Sequence, residues 1–451
     1  MESRKVYIHD VIDHSQIGRA QYAALALCAL LMLFDGFTTQ AFSYIVPVLA
    51  NDWHLPKSVL GSIFSSVLIG LMIGNFGISP LAKRFGTKKM TVWSTAAFGL
   101  FTLLTVFVTN VPELIALRLL TGIGLGVAVP CAVGLTSEFS PKRTRATFVL
   151  LIYVGYSLGF TVAGFCSGAL MPRFGWTAPL WVCGLGPLVL TLLLMPLLPE
   201  SASHLARHGS PKDLRQMVQR FFPQFNLPAG AVINSNADKS TDGSVSGLFS
   251  PRLRVGTFLL WVVFNINLAE FYFLQSWLPT FLHSLSYSPR MIVWATAIST
   301  VGGMAAGLAM GPLMDRFGPY IILSVLYLFG GISMLGISAA LGATPFLLML
   351  AAFCCGACTS GGQKGVVALT ALFYPAELRA PGMAWASGIG RLGGAGGTYL
   401  AGVLYASNWR PEDIFRVAAA PAVIAAIFVG FMGWLYSSDR SLPSSALTQD
   451  S

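Results

Sequence analysis

Charge is scarce in this chain. Of 451 residues, 18 are Asp or Glu and 28 are Lys or Arg, together 10%. A soluble domain carries roughly 25%, so a soluble globular fold is excluded. Residues 58–82, 90–112, 146–172, 291–314 and 417–438 contain no Asp, Glu, Lys or Arg. Histidine is also sparse, with six residues (His9, His14, His54, His204, His208 and His283) in tails, loops or segment ends. That distribution argues against a histidine proton relay. The seven cysteines all fall inside apolar stretches and read as small apolar fillers, with neither a disulfide framework nor a metal site. No G-x-x-x-x-G-K-[ST] run occurs, which disfavours ATP-driven chemistry. No Ser-His-Asp pattern or His/Cys cluster points to an enzyme, and no cofactor or metal is expected.

Long apolar segments take the place of charge. About 20 apolar residues span a bilayer as a helix, and the chain offers twelve such segments. Their approximate limits are 20–50, 58–82, 90–109, 112–137, 146–171, 177–198, 254–282, 291–314, 318–341, 345–373, 381–406 and 416–437. The first is too long for the core of a cleaved leader and is expected to be a span. Clustered glycines (Gly122, Gly124 and Gly126; Gly390, Gly393, Gly394, Gly396 and Gly397) suit close helix contact.

One long polar stretch, 199–253, interrupts the series, and its Asn-, Ser-, Gly- and Pro-rich middle, Pro223 to Gly247, is expected to be flexible. It divides the chain into 1–198, 199–253 and 254–451. The two flanks repeat: SPLAKRFG (79–86) recurs as GPLMDRFG (311–318), and SEFSPKRTRA (137–146) as ALFYPAELRA (371–380). The expected fold is an all-α membrane protein of twelve transmembrane helices in two pseudo-symmetric six-helix halves. Lys83, Arg84, Lys88, Lys89, Lys142, Arg143 and Arg145, with Arg207, Lys212, Arg215 and Arg220, lie in alternate connections. The positive-inside rule then puts both termini and the linker in the cytoplasm. The net charge of +10 belongs to these connections and calls for no nucleic acid.

Six charges remain inside or at the end of apolar segments: Asp35, Arg118, Glu138, Glu270, Lys364 and Arg391. A charge at the bilayer centre costs at least ~2.5–3.5 kcal/mol, so such groups usually face a wet cavity or one another. Asp35 shares a helix face with Thr38, Thr39 and Phe42, and a carboxylate at that depth is suited to carry a proton. Arg118 can hold a carboxylate in two hydrogen bonds; the plainer alternative makes it a packing residue or the structural partner of Asp35. Glu270 lies on one face with Asn267, Phe273, Leu274 and Trp277 and either takes a proton or neutralises Lys364. Lys364 and Arg391 suit an anionic ligand, and Gln363 offers both a donor and an acceptor. Arg84, Glu138, Arg145, Asp315, Arg316 and Arg379, at cytoplasmic helix ends, read either as latches that pair in one conformation or as simple topology signals. Trp277, Phe271, Tyr272 and Phe42 are the aromatics placed near a planar ring.

The repeated G-x-L-x-D-R-x-G loop resembles the hallmark of the major facilitator superfamily, over the whole chain. Within it the best match is the aromatic acid:proton symporter family. DGFTTQ (35–40), RLLTGIGLG (118–126), EFSPKRTR (138–145), LPES (198–201), SWLP (276–279), GGQKGVVALTALFYPAELRA (361–380) and GIGRLGG (388–394) fall in order where that family has counterparts. Two departures stand out. Thr38 replaces a second helix-one acid, and Lys83 replaces the first loop's Asp, while Asp315 keeps the second.

The resemblance implies the major facilitator fold and proton-coupled uptake of a hydroxybenzoate-like aromatic carboxylate by alternating access. Proton coupling is expected at Asp35 and Glu270. Substrate contact is expected at Asp35, Thr38, Arg118, Glu270, Trp277, Gln363, Lys364 and Arg391. The expected partners are a small anion, protons and the bilayer, with the protein as a monomer. Two rivals are a proton symporter of a non-aromatic dicarboxylate such as a muconate, and a non-transporting sensor on the same scaffold.

Overall fold

A computed structural model describes residues 5–7, 18–141, 143–202, 204–205, 215–217, 219, 221, 232–234 and 245–436. His9, His14, His208, Lys142, Arg207, Lys212, Arg220 and most of the polar middle of the linker lie outside these residues.

Without water, a spanning backbone must satisfy its own N–H and C=O groups, and for a single segment the helix does so. Twelve long helices result among the described residues: α1 (Arg19–Asp52), α2 (Lys57–Phe85), α3 (Thr87–Phe107), α4 (Val111–Phe139), α5 (Arg145–Phe174) and α6 (Ala178–Leu197), then α7 (Arg254–Ser284), α8 (Pro289–Phe317), α9 (Pro319–Ala340), α10 (Pro345–Phe373), α11 (Ala376–Ala406) and α12 (Pro411–Tyr436). Among the described residues eleven of these, all but α11, are long and apolar enough to cross a membrane. Their ends follow local chemistry. Asn110 caps α4 by accepting the Glu113 N–H at 3.0 Å. Prolines that need no N–H partner begin α8, α9, α10 and α12. Gly86 (φ 97°) and Gly318 (φ 86°) close the two copies of the repeated loop in the left-handed region. A π-helical turn, Gly74–Ile78, lets α2 run on to Phe85, past the limit expected at residue 82.

One short pair of strands adds to the helices. β1 (Lys5–Tyr7) pairs in parallel with β2 (Val232–Asn234), Val6 opposite Ile233, so the N-terminal segment meets part of the polar linker.

Two compact units form. The first gathers α1–α6 with Gln275–Ala297 and Thr398–Ala406; the second holds the rest of α7, α8 and α11 with α9, α10 and α12. The expected break between 198 and 254 follows chain order, whereas these units follow contact. In the first, α1 lies on α5, α2 on α4, and α3 on α6. In the second, α7 meets α11, α8 meets α10 and α9 meets α12. The same three pairings recur, as a duplicated six-helix plan requires.

Glycine sets how closely these pairs approach. A Cβ on Gly36 would strike the Tyr156 carbonyl, and one on Gly159 the Leu33 carbonyl, so α1 and α5 touch backbone to backbone. Gly70 and Gly122 do the same for α2 and α4, and Gly393 against Asn265 for α7 and α11. Without a hydrophobic force between helices in lipid, such fit carries the association. A Gly159→Val change should therefore cost about 1–3 kcal/mol and lower the melting temperature of the purified protein. Gly134, with nothing within 4 Å of an added Cβ, should tolerate valine; equal melting shifts for the two would refute the packing argument.

Candidate functional site

In the first unit, α1 and α4 bring one acid and one cation into the interior. Asp35 is 4% exposed and accepts the Thr39 hydroxyl at 3.5 Å; Thr38 beside it is fully buried. Arg118 is 2% exposed. Its guanidinium carbon stands 3.6 Å from the centre of the Phe42 ring, which lies two helical turns along α1 from Asp35. Stacking on a ring face suits a planar cation, but it leaves the N–H groups unused. Nε and Nη1 of Arg118 are buried and have no protein hydrogen-bond partner among the described residues. No carboxylate lies within 4 Å of the guanidinium there, so the alternative of a structural ion pair with Asp35 is not formed.

The second unit holds a separate set from α7, α9, α10 and α11. Glu270 is 4% exposed, and its Oε1 has no protein partner among the described residues. Asn267, one turn earlier, gives its side-chain N–H to the Thr359 carbonyl at 3.1 Å and keeps a buried, unpartnered Oδ1. Tyr327 donates its hydroxyl to the Gly362 carbonyl at 3.5 Å. Gly362 makes room for this group, since a Cβ there would come within 2.9 Å of Asn267 and 3.0 Å of Tyr327. Sequence reading missed Tyr327. The Gly361–Gly362 doublet ahead of Gln363 was the available signal.

Lys364 is half-buried and donates to the Gly303 carbonyl of α8 at 3.0 Å. It makes no ion pair with Glu270 among the described residues, so mutual neutralisation of these two is not realised. Arg391 is half-buried, its buried Nη1 without a protein partner among the described residues, and Gln363 is half-buried. Phe271 and Tyr272 are buried and meet edge to face at 5.2 Å.

Trp277 sits differently from the ring contact expected of it. It belongs to the first unit, is 0% exposed, and donates its indole N–H to the Thr398 carbonyl at 3.0 Å. Phe64, Phe281 and Tyr405 pack around it at 5.4, 5.1 and 5.8 Å. Beside it α2 and α11 cross so closely that a Cβ on Gly402 would lie 2.6 Å from Gly61 Cα. Gln40 of α1 also donates to the Gln275 carbonyl, at 3.3 Å; Pro279, lacking an N–H, cannot bond that carbonyl within α7. The C-terminal ends of α7 and α11 are thus sealed against α1 and α2, and the faces of Trp277 are occupied.

Among the charges at the other helix ends, Arg84, Asp315, Arg316 and Arg379 are exposed and Arg145 and Glu138 half-buried. Arg145 reaches the Ser140 carbonyl at 3.5 Å. Among the described residues, Arg84, Arg145, Asp315, Arg316 and Arg379 form no ion pair. A residue passed over by the motif reading, Glu200 of LPES, holds the first loop instead. Its Oε1 accepts the Lys88 and Ser201 backbone N–H groups, both at 2.9 Å, as an anion at the first turn of α3 should.

Comparison with known proteins fits this architecture. A sequence model of the Major Facilitator Superfamily matches residues 26–288 and 260–449. The 4-hydroxybenzoate transporter PcaK of Acinetobacter baylyi is 37% identical over 428 residues, 93% of this chain and 92% of that protein. PcaK of Pseudomonas aeruginosa is 35% identical, covering 95% and 96%. The gallate transporter of Pseudomonas putida is 33% identical, covering 94% of each. Among solved structures, the inward-open xylose transporter XylE from E. coli superposes with a TM-score of 0.72 at 19% identity, over 92% of this chain and 95% of that one; it supports the fold alone. The chain is a multi-pass membrane protein of the major facilitator superfamily, in the branch that contains these aromatic acid transporters.

Proposed function

We propose that the protein imports a hydroxybenzoate-like aromatic carboxylate across the bacterial inner membrane, together with protons, by alternating access. The observation that carries this reading is the Arg118 guanidinium, buried, stacked on Phe42 and without a carboxylate partner among the described residues. A buried cation of this kind is costly until an anion meets it. A carboxylate on a flat ring satisfies both features of the place, the unused N–H groups and the aromatic surface. The relatives named as 4-hydroxybenzoate and gallate transporters support the substrate class.

Asp35 and Glu270 are the proton carriers in this reading. Glu270 takes the task that the family gives to the acid replaced here by Thr38. Thr38, Gln363, Lys364 and Arg391 supply further polar contacts. Because the named relatives carry 4-hydroxybenzoate and gallate, both monocarboxylates, a monocarboxylate is favoured over a muconate-like dicarboxylate. Trp277 acts as a seal rather than a ring partner. Arg84, Glu138, Arg145, Asp315, Arg316 and Arg379 latch the cytoplasmic side in the opposite state, with both termini and the linker cytoplasmic.

Two outcomes follow. Arg118→Gln should weaken 4-hydroxybenzoate binding about 10–150-fold, the equivalent of ~1.5–3 kcal/mol for a charge-assisted contact; unchanged affinity in a correctly folded variant would remove Arg118 from the site. In proteoliposomes, Asp35→Asn and Glu270→Gln should each abolish accumulation driven by a pH gradient while preserving substrate counterflow, which moves no net proton. Wild-type accumulation by either variant would strike that acid from the coupling role.

A further inference from the structure

The first unit contains a second place with the properties of a ligand site. A cavity of about 290 Å³ opens where the C-terminal ends of α1, α5 and α7 meet the start of α8. An apolar cavity of about 150 Å³ accepts benzene, so this one has room for a single substituted ring. Its walls are stiff. Pro47, Pro172 and Pro279 sit inside their helices and Pro289 opens α8.

Most of the lining is apolar, with Tyr44, Met171, Ile292 and Val293 as the flat and branched surfaces. Three polar features break it. Ser167 lines the cavity, is 1% exposed, and its Oγ has no protein partner among the described residues. A buried hydroxyl left unpaired costs about 1–3 kcal/mol, a penalty that a hydrogen-bonding ligand would lift. Pro172 has no N–H to offer the carbonyl of Gly168 one turn earlier, and Gly168 also lines the cavity. His283, in the last turn of α7, is half-buried and contributes an imidazole to the more exposed side. Space is kept by small residues; a Cβ on Gly168 would come within 3.0 Å of Val293.

We propose that this cavity is a second binding site, at the end of the first unit opposite its loop 79–86, for one aromatic ring that bears a hydroxyl and a carboxylate. The ring lies against Tyr44, Ile292 and Val293, its hydroxyl pairs with Ser167 and the Gly168 carbonyl, and its carboxylate accepts the His283 N–H. The inference rests on the reading of the substrate as an aromatic carboxylate, and it deepens that reading by giving the external side a capture site separate from Arg118.

The test is equilibrium binding of radiolabelled 4-hydroxybenzoate to the full chain in lipid nanodiscs, with stoichiometry as the readout. The wild type should saturate at two molecules per protein. Ser167→Leu, which fills the cavity, should saturate at one, and His283→Gln should weaken one of the two sites by about tenfold, near 1.4 kcal/mol. Arg118→Gln should weaken the other site only. Saturation at one in the wild type, or at two in Ser167→Leu, overturns the second site whatever Arg118 does. Two sites of which neither responds to Arg118→Gln would sink the anchor assigned to Arg118 and leave this one standing. If an acyl lipid co-purifies, is lost from Ser167→Leu and is not displaced by 4-hydroxybenzoate, the cavity holds lipid and the proposal is wrong.

Discussion

A guanidinium out of water is the constraint around which this protein is organised. Arg118 sits on α4 at 2% exposure, its charge resting on the Phe42 ring and two of its nitrogens without a protein partner among the described residues. Cation–π contact is worth about 0.5–2 kcal/mol or more when desolvated, less than the several kcal/mol that burial of an ion costs. The imbalance is tolerable only if something else completes the site. The same logic applies to Glu270, whose Oε1 has no protein partner among the described residues. In the proposed reading one group receives an anion and the other a proton, which is what coupled uptake of an acid requires.

The surrounding scaffold explains how such groups are held in place. Glycine-lined pairs, α1 with α5 and α2 with α4, bring backbones into contact, and close fit is the main attractive force available between helices in lipid. Rigid pairs of this kind can move as bodies. The seal around Trp277, with α2 crossing α11 at Gly61 and Gly402, closes one end. At the other end the described charges of the repeated loops stand without ion pairs among themselves. Glu200, just after α6, holds the start of α3 through the Lys88 backbone N–H, and its own neighbour Ser201 supplies a second N–H to the same oxygen. That tie depends on no side-chain charge in the loop, so it is available although Lys83 stands where an acid would be expected.

Much of the architecture was legible in the sequence, because absence of charge over 20 or more residues has few physical explanations. The start of α7 at Arg254 and the full extent of α10, Pro345–Phe373, match the limits read from composition. Where reading stopped at a charge, as before Lys83, the helix ran on to Phe85, since helix ends reach the headgroup region where charge is cheap. The site was legible in part. Isolated charges revealed which residues are exceptional, but not what they touch. That Lys364 bonds a carbonyl of α8 rather than Glu270, that Tyr327 arrives from α9, and that Trp277 is enclosed by α2 and α11 are non-local facts. Periodicity along one helix cannot supply them. The β1–β2 pair escaped for the same reason, as three residues in a polar tail carry no pattern of their own.

If the buried cation exists to receive an anion, affinity must reside in the charge of the ligand more than in its ring. The direct measurement compares 4-hydroxybenzoate with 4-hydroxybenzamide, which has nearly the same shape and no charge, by calorimetric binding to the purified protein. The account predicts that the amide binds at least about tenfold more weakly, a loss of ~1.4 kcal/mol or more. Equal affinities for acid and amide would contradict it.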